Sequence, residues 1–461
     1  MKKERKPINS IALLMLMLAI ICIATHLIPA GMYDRIEVAG RMVVDPDSFV
    51  FIENHGARIL DYFLAIPNGF ANATALCFGF MVGSGTLEVI QKTGALNVGI
   101  SRMIKKVGTK RGDLILVIMF YMFAVLGGFV GFVEGCIPFW PLAISISLAL
   151  GYDAIVGVAI SMIGACSGYL CGPTNPSSVA ISQTIGGLEL YSGIWLRLVL
   201  FAVLPLTCLI YIMWYAKRVR KNPEKSYMAG VDTSELAFDT DQFGTQAFTK
   251  THMAILTVYI LGLLLFVYGA VQFGWGFHHM SAIFIAISVL TTIIGRIPVD
   301  DAIAAFAKGC AGMINACLLL GIAYGIAWVL AQANVLDTIV YYFSLPLQGK
   351  PPVISLIGIL IAIMLINLLI PSGSAKAAIV MPIIFPIAQI IDLTPQTAVL
   401  AYQFGDGITN MCGPLYGTLL LVCSMGKVPF SKWEKFFIPL LLILTILAFA
   451  FLFFAQSIGY C

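Results

Sequence analysis

Apolar residues run in blocks of about 20 along nearly the whole chain, and polar residues collect between the blocks. A helix of that length crosses a bilayer. The blocks cover about 8–30, 71–100, 114–150, 154–187, 195–215, 252–273, 280–294, 302–340, 351–391, 396–424 and 436–454. Four of them are interrupted near the middle. Gly127, Gly128, Gly131, Glu134, Pro138 and Pro141 break one, and Cys171-Gly-Pro-Thr-Asn-Pro-Ser-Ser178 breaks the next. Asn367-Leu-Leu-Ile-Pro-Ser-Gly-Ser-Ala-Lys376 breaks the third, and Gly405-Asp-Gly-Ile-Thr-Asn410 with Gly413-Pro414 the fourth. Backbone freed from a helix at membrane depth survives only when buried in protein or lining a wet cavity. The breaks therefore predict re-entrant hairpins and discontinuous helices rather than plain spans.

The pattern predicts an all-α polytopic membrane protein with about 9 full spans plus 2 hairpins. Residues 1–56 form a first span and an external loop, with a short segment at 57–66 on the interface. Residues 57–216 form a first repeat, with a hairpin at 114–150 and a broken helix at 154–187. A cytoplasmic linker covers 217–251 and connecting spans 252–300. Residues 301–461 form a second repeat, with a hairpin at 352–391 and a broken helix at 396–424. An offset of about 240 aligns Gly69 with Gly309, Cys77 with Cys317, Gly85 with Gly325 and Leu96 with Leu336. One residue later in register, Pro141 meets Pro382, Gly164 meets Gly405, and Cys171-Gly-Pro173 meets Cys412-Gly-Pro414; Trp195 meets Trp433 at an offset of 238. An odd number of crossings separates the copies, so they are expected upside down relative to each other. Inverted repeats with broken helices meeting near the midplane are the secondary-transporter pattern.

Charge changes the picture by fixing orientation. Only 11% of the 461 residues are charged, against roughly 25% in soluble domains. On the predicted topology 19 Lys and Arg fall in internal segments and 4 in external ones, which places the N-terminus in the cytoplasm. A bacterial inner membrane is the expected location. Lys2, Lys3, Arg5 and Lys6 before an apolar run mimic a signal peptide, but the run is long and no small-x-small site closes it, so it reads as a retained span. The 11 cysteines are scattered through apolar blocks with no zinc-like spacing, and His278-His279 reads as interfacial. No nucleophile–base pair or phosphate-cradling loop points to an enzyme, and nothing points to nucleic acid.

Three ionisable groups sit at the breaks: Glu134, Lys376 and Asp406. Each costs about 3 kcal/mol in lipid, so they must face water, each other or a ligand. Glu134 reads as a substrate or proton site, or as a partner of Lys376. The Lys376 ammonium either binds a substrate carboxylate, carries a proton, or stands where a metal cation would sit. Thr174, Asn175 and Ser178 in the first copy, with Ser372, Gly373, Ser374, Thr409 and Asn410 in the second, complete the candidate substrate site. A candidate cation site lies near Asn175, Asp406 and Asn410. Freed N–H groups at half-helix starts suit a carboxylate, and freed C=O groups a cation. Glu88 and Lys308, nearer helix ends, read as snorkelling groups. No cofactor is expected, with Na+ or H+ as the candidate coupling ion.

At these residues the chain resembles the YfcC/ArcD-type basic amino-acid antiporter family of the wider ion-transporter superfamily. The matching pieces are Ile28-Pro-Ala-Gly-Met-Tyr-Asp-Arg35, Gly131-Phe-Val-Glu134 with Phe139 and Pro141, and Thr174-Asn-Pro176 with Ile181-Ser-Gln183. In the second half they are Ile370-Pro-Ser-Gly-Ser374, Met381-Pro382 and Gln403-Phe-Gly-Asp-Gly407 with Asn410. The resemblance implies two inverted repeats, re-entrant hairpins, a scaffold that dimerises around a moving transport unit, and arginine/ornithine-type exchange. Relatives are similar to carriers of four-carbon dicarboxylates and short-chain fatty acids. The chain departs from the family at Gly135, where a second glutamate is common, and at Ala375-Lys376, where Gly-Gln is common. One negative charge is lost and one positive gained, which weakens the case for a dibasic substrate and favours a zwitterionic or anionic one, or an exchanger with altered ion coupling. The expected function is a secondary active transporter of amino acids, basic ones among them, working as an antiporter or ion-coupled symporter. A carrier of four-carbon dicarboxylates or other short carboxylates is the alternative, and a channel a more distant one.

Overall fold

The computed structural model describes residues 10–38, 41–96, 98–99, 102, 112–131, 133–176, 178–236, 248–273, 275–347, 352–370, 372–390 and 392–461. The basic residues of the N-terminus, most of the basic loop after 100, and Pro371 lie outside them. Seventeen α-helices occur among the described residues. They are α1 (Ser10–Leu27), α2 (Ile59–Lys92), α3 (Gly112–Val125), α4 (Trp140–Ala149), α5 (Ala154–Cys171), α6 (Val179–Ile185), α7 (Ile194–Lys221) and α8 (Lys250–Phe273). They continue as α9 (Phe277–Gly295), α10 (Val299–Gly312), α11 (Ile314–Gln332), α12 (Leu336–Ser344), α13 (Pro352–Leu369), α14 (Gly373–Ile390), α15 (Pro395–Asn410), α16 (Gly417–Met425) and α17 (Phe430–Ser457). Among the described residues six helical stretches are long and apolar enough to cross a membrane, or seven if α10 and α11 count as one bent span.

The chain is not wholly helical. Gly31–Met32 (β1) pairs antiparallel with Val50–Phe51 (β4), and Arg35–Val38 (β2) with Arg41–Val44 (β3). These hairpins sit in the polar stretch after α1 and are pinned to α12. Arg35 reaches both carboxylate oxygens of Asp337 at 3.0 Å, the Tyr33 N–H donates to the same side chain, and Phe49 stacks on Tyr341 at 4.0 Å. The interfacial segment expected at 57–66 does not stand apart. It is the first two turns of α2, a 34-residue helix that absorbs Pro67 without breaking.

Helices α5 and α15 form the centre. Every residue of α5 is buried, and so is every residue of α15 except Pro395. Their small residues make this possible, because close backbone approach drives helix association in lipid. A Cβ on Gly168 would lie 1.8 Å from the Ala124 carbonyl of α3, leaving no room for any side chain. Asp153 caps α5 by accepting from the Val156 N–H, and it also takes hydrogen bonds from Tyr215 of α7 and Ser226 of the linker.

The second contact that organises the molecule is the crossing of α2 with α10 and α11. Gly69 packs against the backbone of Gly321 and Gly325, and Gly309 packs against Ser84 and Gly85. Between these points the Cys317 thiol faces the Cys77 carbonyl at 3.7 Å. At the end of the crossing Lys308 and Glu88 form an ion pair at 3.3 Å. Large apolar side chains such as Ile20, Ile210, Leu264 and Ile446 stay exposed on α1, α7, α8 and α17. They form the surface that meets lipid.

Candidate functional site

The two segments expected as hairpins are helices that stop and restart. α13 ends at Leu369 and α14 starts at Gly373. On the first hairpin α3 runs into a π-turn at Leu126–Val130, then Gly131 at φ +68°, then a 3-10 turn at Glu134–Phe139 that leads into α4. Both central helices break as well, α5 after Cys171 with Gly172 at φ +44°, and α15 after Asn410. Glycine is required at 131 and 172. Each has a left-handed backbone, and a Cβ would collide with Asn175 Oδ1 at the first and with the Gln403 amide at the second.

The tip of the second hairpin closes on α15. Lys376, fully buried, donates to Asp406 Oδ1 at 2.6 Å and to Asn367 Oδ1. The Asn367 amide donates to the Asp406 carbonyl at 3.0 Å, Thr409 Oγ1 at 2.7 Å and Asn410 Oδ1 at 2.8 Å. Tyr402 donates to the Gly373 carbonyl, and its ring lies 5.7 Å from the ammonium. Asp406 Oδ2 points away from Lys376, toward the Tyr169 hydroxyl. It lies against Gly373 together with the Tyr169 hydroxyl, both within 3 Å of where a Cβ would be.

The tip of the first hairpin meets both breaks. Thr174 donates to the Phe129 carbonyl at 2.9 Å, and Asn175 accepts from the Ser178 N–H while facing Gly131. On the other side, Glu134 accepts from Tyr416 at 2.9 Å and, weakly, from Thr418 at 3.5 Å. Glu134 is half-buried, and among the described residues no cation forms an ion pair with it.

A third layer joins α5, α7 and α15. Arg197, fully buried, donates to Gln403 Oε1 at 2.7 Å and Gln396 Oε1 at 3.1 Å. Gln403 in turn donates to the Tyr169 carbonyl at 2.8 Å and to Ser178 at 3.4 Å. Gln183 of α6 shares Gln396.

Hydrogen bonds through Asn367 thus link Lys376, Asp406, Thr409 and Asn410 into one network, while Asn175 and Ser178 belong with Gln403 to the Arg197 layer. Gly373 touches Asp406 directly. Ser372 and Ser374 are exposed at the tip, Ser372 capping α14 by accepting from the Ala375 N–H. The pairing of Glu134 with Lys376 weighed above does not occur: the lysine belongs to Asp406. Sequence reasoning missed Arg197, Asn367 and the tyrosines Tyr169, Tyr402 and Tyr416. Among the described residues no group of three or more His, Cys, Asp or Glu is placed to hold a metal ion.

A comparison with known families decides the class. The family described as "C4-dicarboxylate anaerobic carrier" (DcuC) matches residues 9–457. The chain belongs to the DcuC family. A DcuC-family chain is a multi-pass membrane protein of a transporter family, in keeping with the apolar helices. An uncharacterized protein of Haemophilus influenzae is 30% identical over 412 residues, 88% of this chain and 80% of the relative. The Escherichia coli protein named "Putative basic amino acid antiporter YfcC" is 27% identical over 481 residues, 95% of this chain and 94% of its own. Two solved transporters align loosely. YdaH of Alcanivorax borkumensis is 16% identical over 98% of this chain and 99% of its own, at a TM-score of 0.42. MtrF of Neisseria gonorrhoeae is 15% identical over 96% and 94%, at 0.41.

Proposed function

We propose that the protein is a secondary active transporter of amino acids in a bacterial inner membrane, with its N-terminus in the cytoplasm. The observation that carries the amino-acid reading is the closure of Lys376 by Asp406. With its ammonium bonded to Asp406 and Asn367, the lysine is not offered to a substrate carboxylate. The charge gained at 376 is matched within the protein, and Glu134 remains as a carboxylate without a cationic partner among the described residues. Its counter-charge is the amine, or basic side chain, of the substrate. The substrate carboxylate meets the freed N–H groups where α6 and α14 restart, beside Asn175 and Ser374.

Alternating access rests on the two halves being inverted copies. Shifted by 240, Ile59–Lys92 falls on Val299–Gln332, the span of α10 and α11 together. Shifted by 241, Ala154–Cys171 starts with α15 at Pro395 and ends two residues beyond it. The α2 crossing obeys the same relation. Gly69 meets Gly325 while its counterpart Gly309 meets Gly85, and Cys77 meets its own counterpart Cys317. That is the contact set of an antiparallel pair about a two-fold axis through the cysteines.

A second reading, transport of four-carbon dicarboxylates, is favoured by the family's description and by Arg197, a buried cation with no carboxylate in ion-pair contact among the described residues. Counterflow in proteoliposomes separates the two. Labelled arginine, ornithine and neutral amino acids are expected to exchange, while succinate and fumarate stay near the level of empty vesicles. Flux of the dicarboxylates alone would overturn the amino-acid reading.

A further inference from the structure

We infer that the Lys376 ammonium is a tethered cation filling a site of the kind a sodium ion would occupy, so that this carrier works without sodium. The inference rests on the transport reading above, but the geometry stands by itself. The ammonium lies against Asp406 Oδ1 and Asn367 Oδ1, both side chains buried at an interrupted stretch of helix. The Asn367 amide nitrogen shares its two hydrogens among three oxygens, the Asp406 carbonyl, Thr409 Oγ1 and Asn410 Oδ1, and its own oxygen faces the lysine. The carboxylate oxygen and the neutral amide oxygen on the ammonium are hard-oxygen ligands of the type that bind small cations in transporters. Here a side chain of the protein supplies the charge. Lys376 and Asp406 are both fully buried and balance each other, and a free metal cation beside the ammonium would meet a like charge in a low-dielectric site. The ion-pair partner also comes from a different element than the lysine, α15 rather than α14, so the tethered charge joins the hairpin tip to the broken helix as a bound ion would.

The test is thermal stability of the purified, substrate-free protein, which is independent of what it carries. Wild type is expected to melt at the same temperature in sodium, potassium and choline chloride at equal ionic strength. Lys376→Ala removes the ammonium and three carbons and leaves Asp406 facing a void. That variant is expected to melt lower in choline and to recover by on the order of 5 °C, saturably, on adding n-propylammonium or sodium. Lys376→Met fills the void without charge and is expected to show no response to either cation. Sodium-specific stabilisation of wild type would overturn the inference, and so would a monodisperse Lys376→Ala protein that no cation stabilises. Should Lys376→Ala fail to fold in every salt, Lys376→Cys alkylated with 2-bromoethylamine, which restores an ammonium at the same reach, is expected to regain wild-type melting. No gain over the unalkylated variant would count against the inference. A failed amino-acid flux assay with these melting results intact would remove the substrate reading and leave the tethered cation standing.

Discussion

The chemistry of the site is set by two buried charges that satisfy each other and one carboxylate that has no such partner. Removing one member of a buried pair strands the other and costs about 3–5 kcal/mol. Asp406→Asn is therefore expected to lower the melting temperature and abolish transport, and a variant with wild-type rates would remove Asp406 from the site. Gly373→Ala is a finer probe. Its Cβ would stand 2.4 Å from the Tyr169 hydroxyl and 2.9 Å from Asp406 Oδ2, so the spot between those two groups would be filled. Overpacking of this kind costs about 1–3 kcal/mol. The variant is expected to fold and to lose at least tenfold in counterflow rate; an unchanged rate would show that this face of Asp406 is not used. At this scale the sequence was informative where an ionisable residue interrupts an apolar run, as at Glu134, Lys376 and Asp406. Arg197 escaped notice because it lies three residues into α7, where a basic group reads as the edge of a span. The three tyrosines escaped because an aromatic in a membrane helix reads as apolar. Only the fold shows that their hydroxyls bond to, or lie beside, Glu134, Gly373 and Asp406.

Among the elements, the α2 crossing with α10 and α11 tolerates the least change. A side chain at Gly69 would sit 2.0 Å from the Gly321 carbonyl, and backbone cannot yield as a side-chain tip can. Gly69→Val is expected to cut the yield of monodisperse protein several-fold on size exclusion. Gly276→Ala, at an ordinary negative φ with open space around it, is expected to leave yield and melting unchanged. Equal yields from the two would refute the close crossing. Breaks in helices were legible from Gly-Pro pairs inside apolar blocks, since neither residue continues a helix well. The start of α2 at Ile59 was not, because Asp61 and Pro67 suggested a separate segment. Nor were the β-hairpins after α1. Their anchor is Asp337, some 300 residues away, and no local pattern announces a contact at that distance.

For the whole molecule, the proposal is of two halves related by a two-fold axis, whose interrupted helices meet around one small solute, exposed in turn to each side. Opening and closing then belong to the hairpin tips. Ser374 is exposed at one of them, so a cysteine placed there, with the other exposed thiols removed, is expected to react with a water-soluble thiol reagent and to be protected by substrate. Reaction unaffected by any transported solute would place that tip outside the access route. The inverted arrangement is suggested by scattered identities, of which the Cys-Gly-Pro repeat is the longest, and it belongs to the proposal; matched helix ends and a Cys77–Cys317 contact are what a two-fold relation would give. Orientation by loop charge depends in part on the basic residues of the N-terminus and of the loop after 100, which lie largely outside the described residues. The most direct test of the central claim is counterflow of labelled arginine by wild-type protein and by Glu134→Gln, with melting temperature measured alongside. The account predicts a saturable arginine flux that falls at least tenfold in Glu134→Gln while the melting temperature holds. Full flux in the variant, or none in wild type for any amino acid, would contradict it.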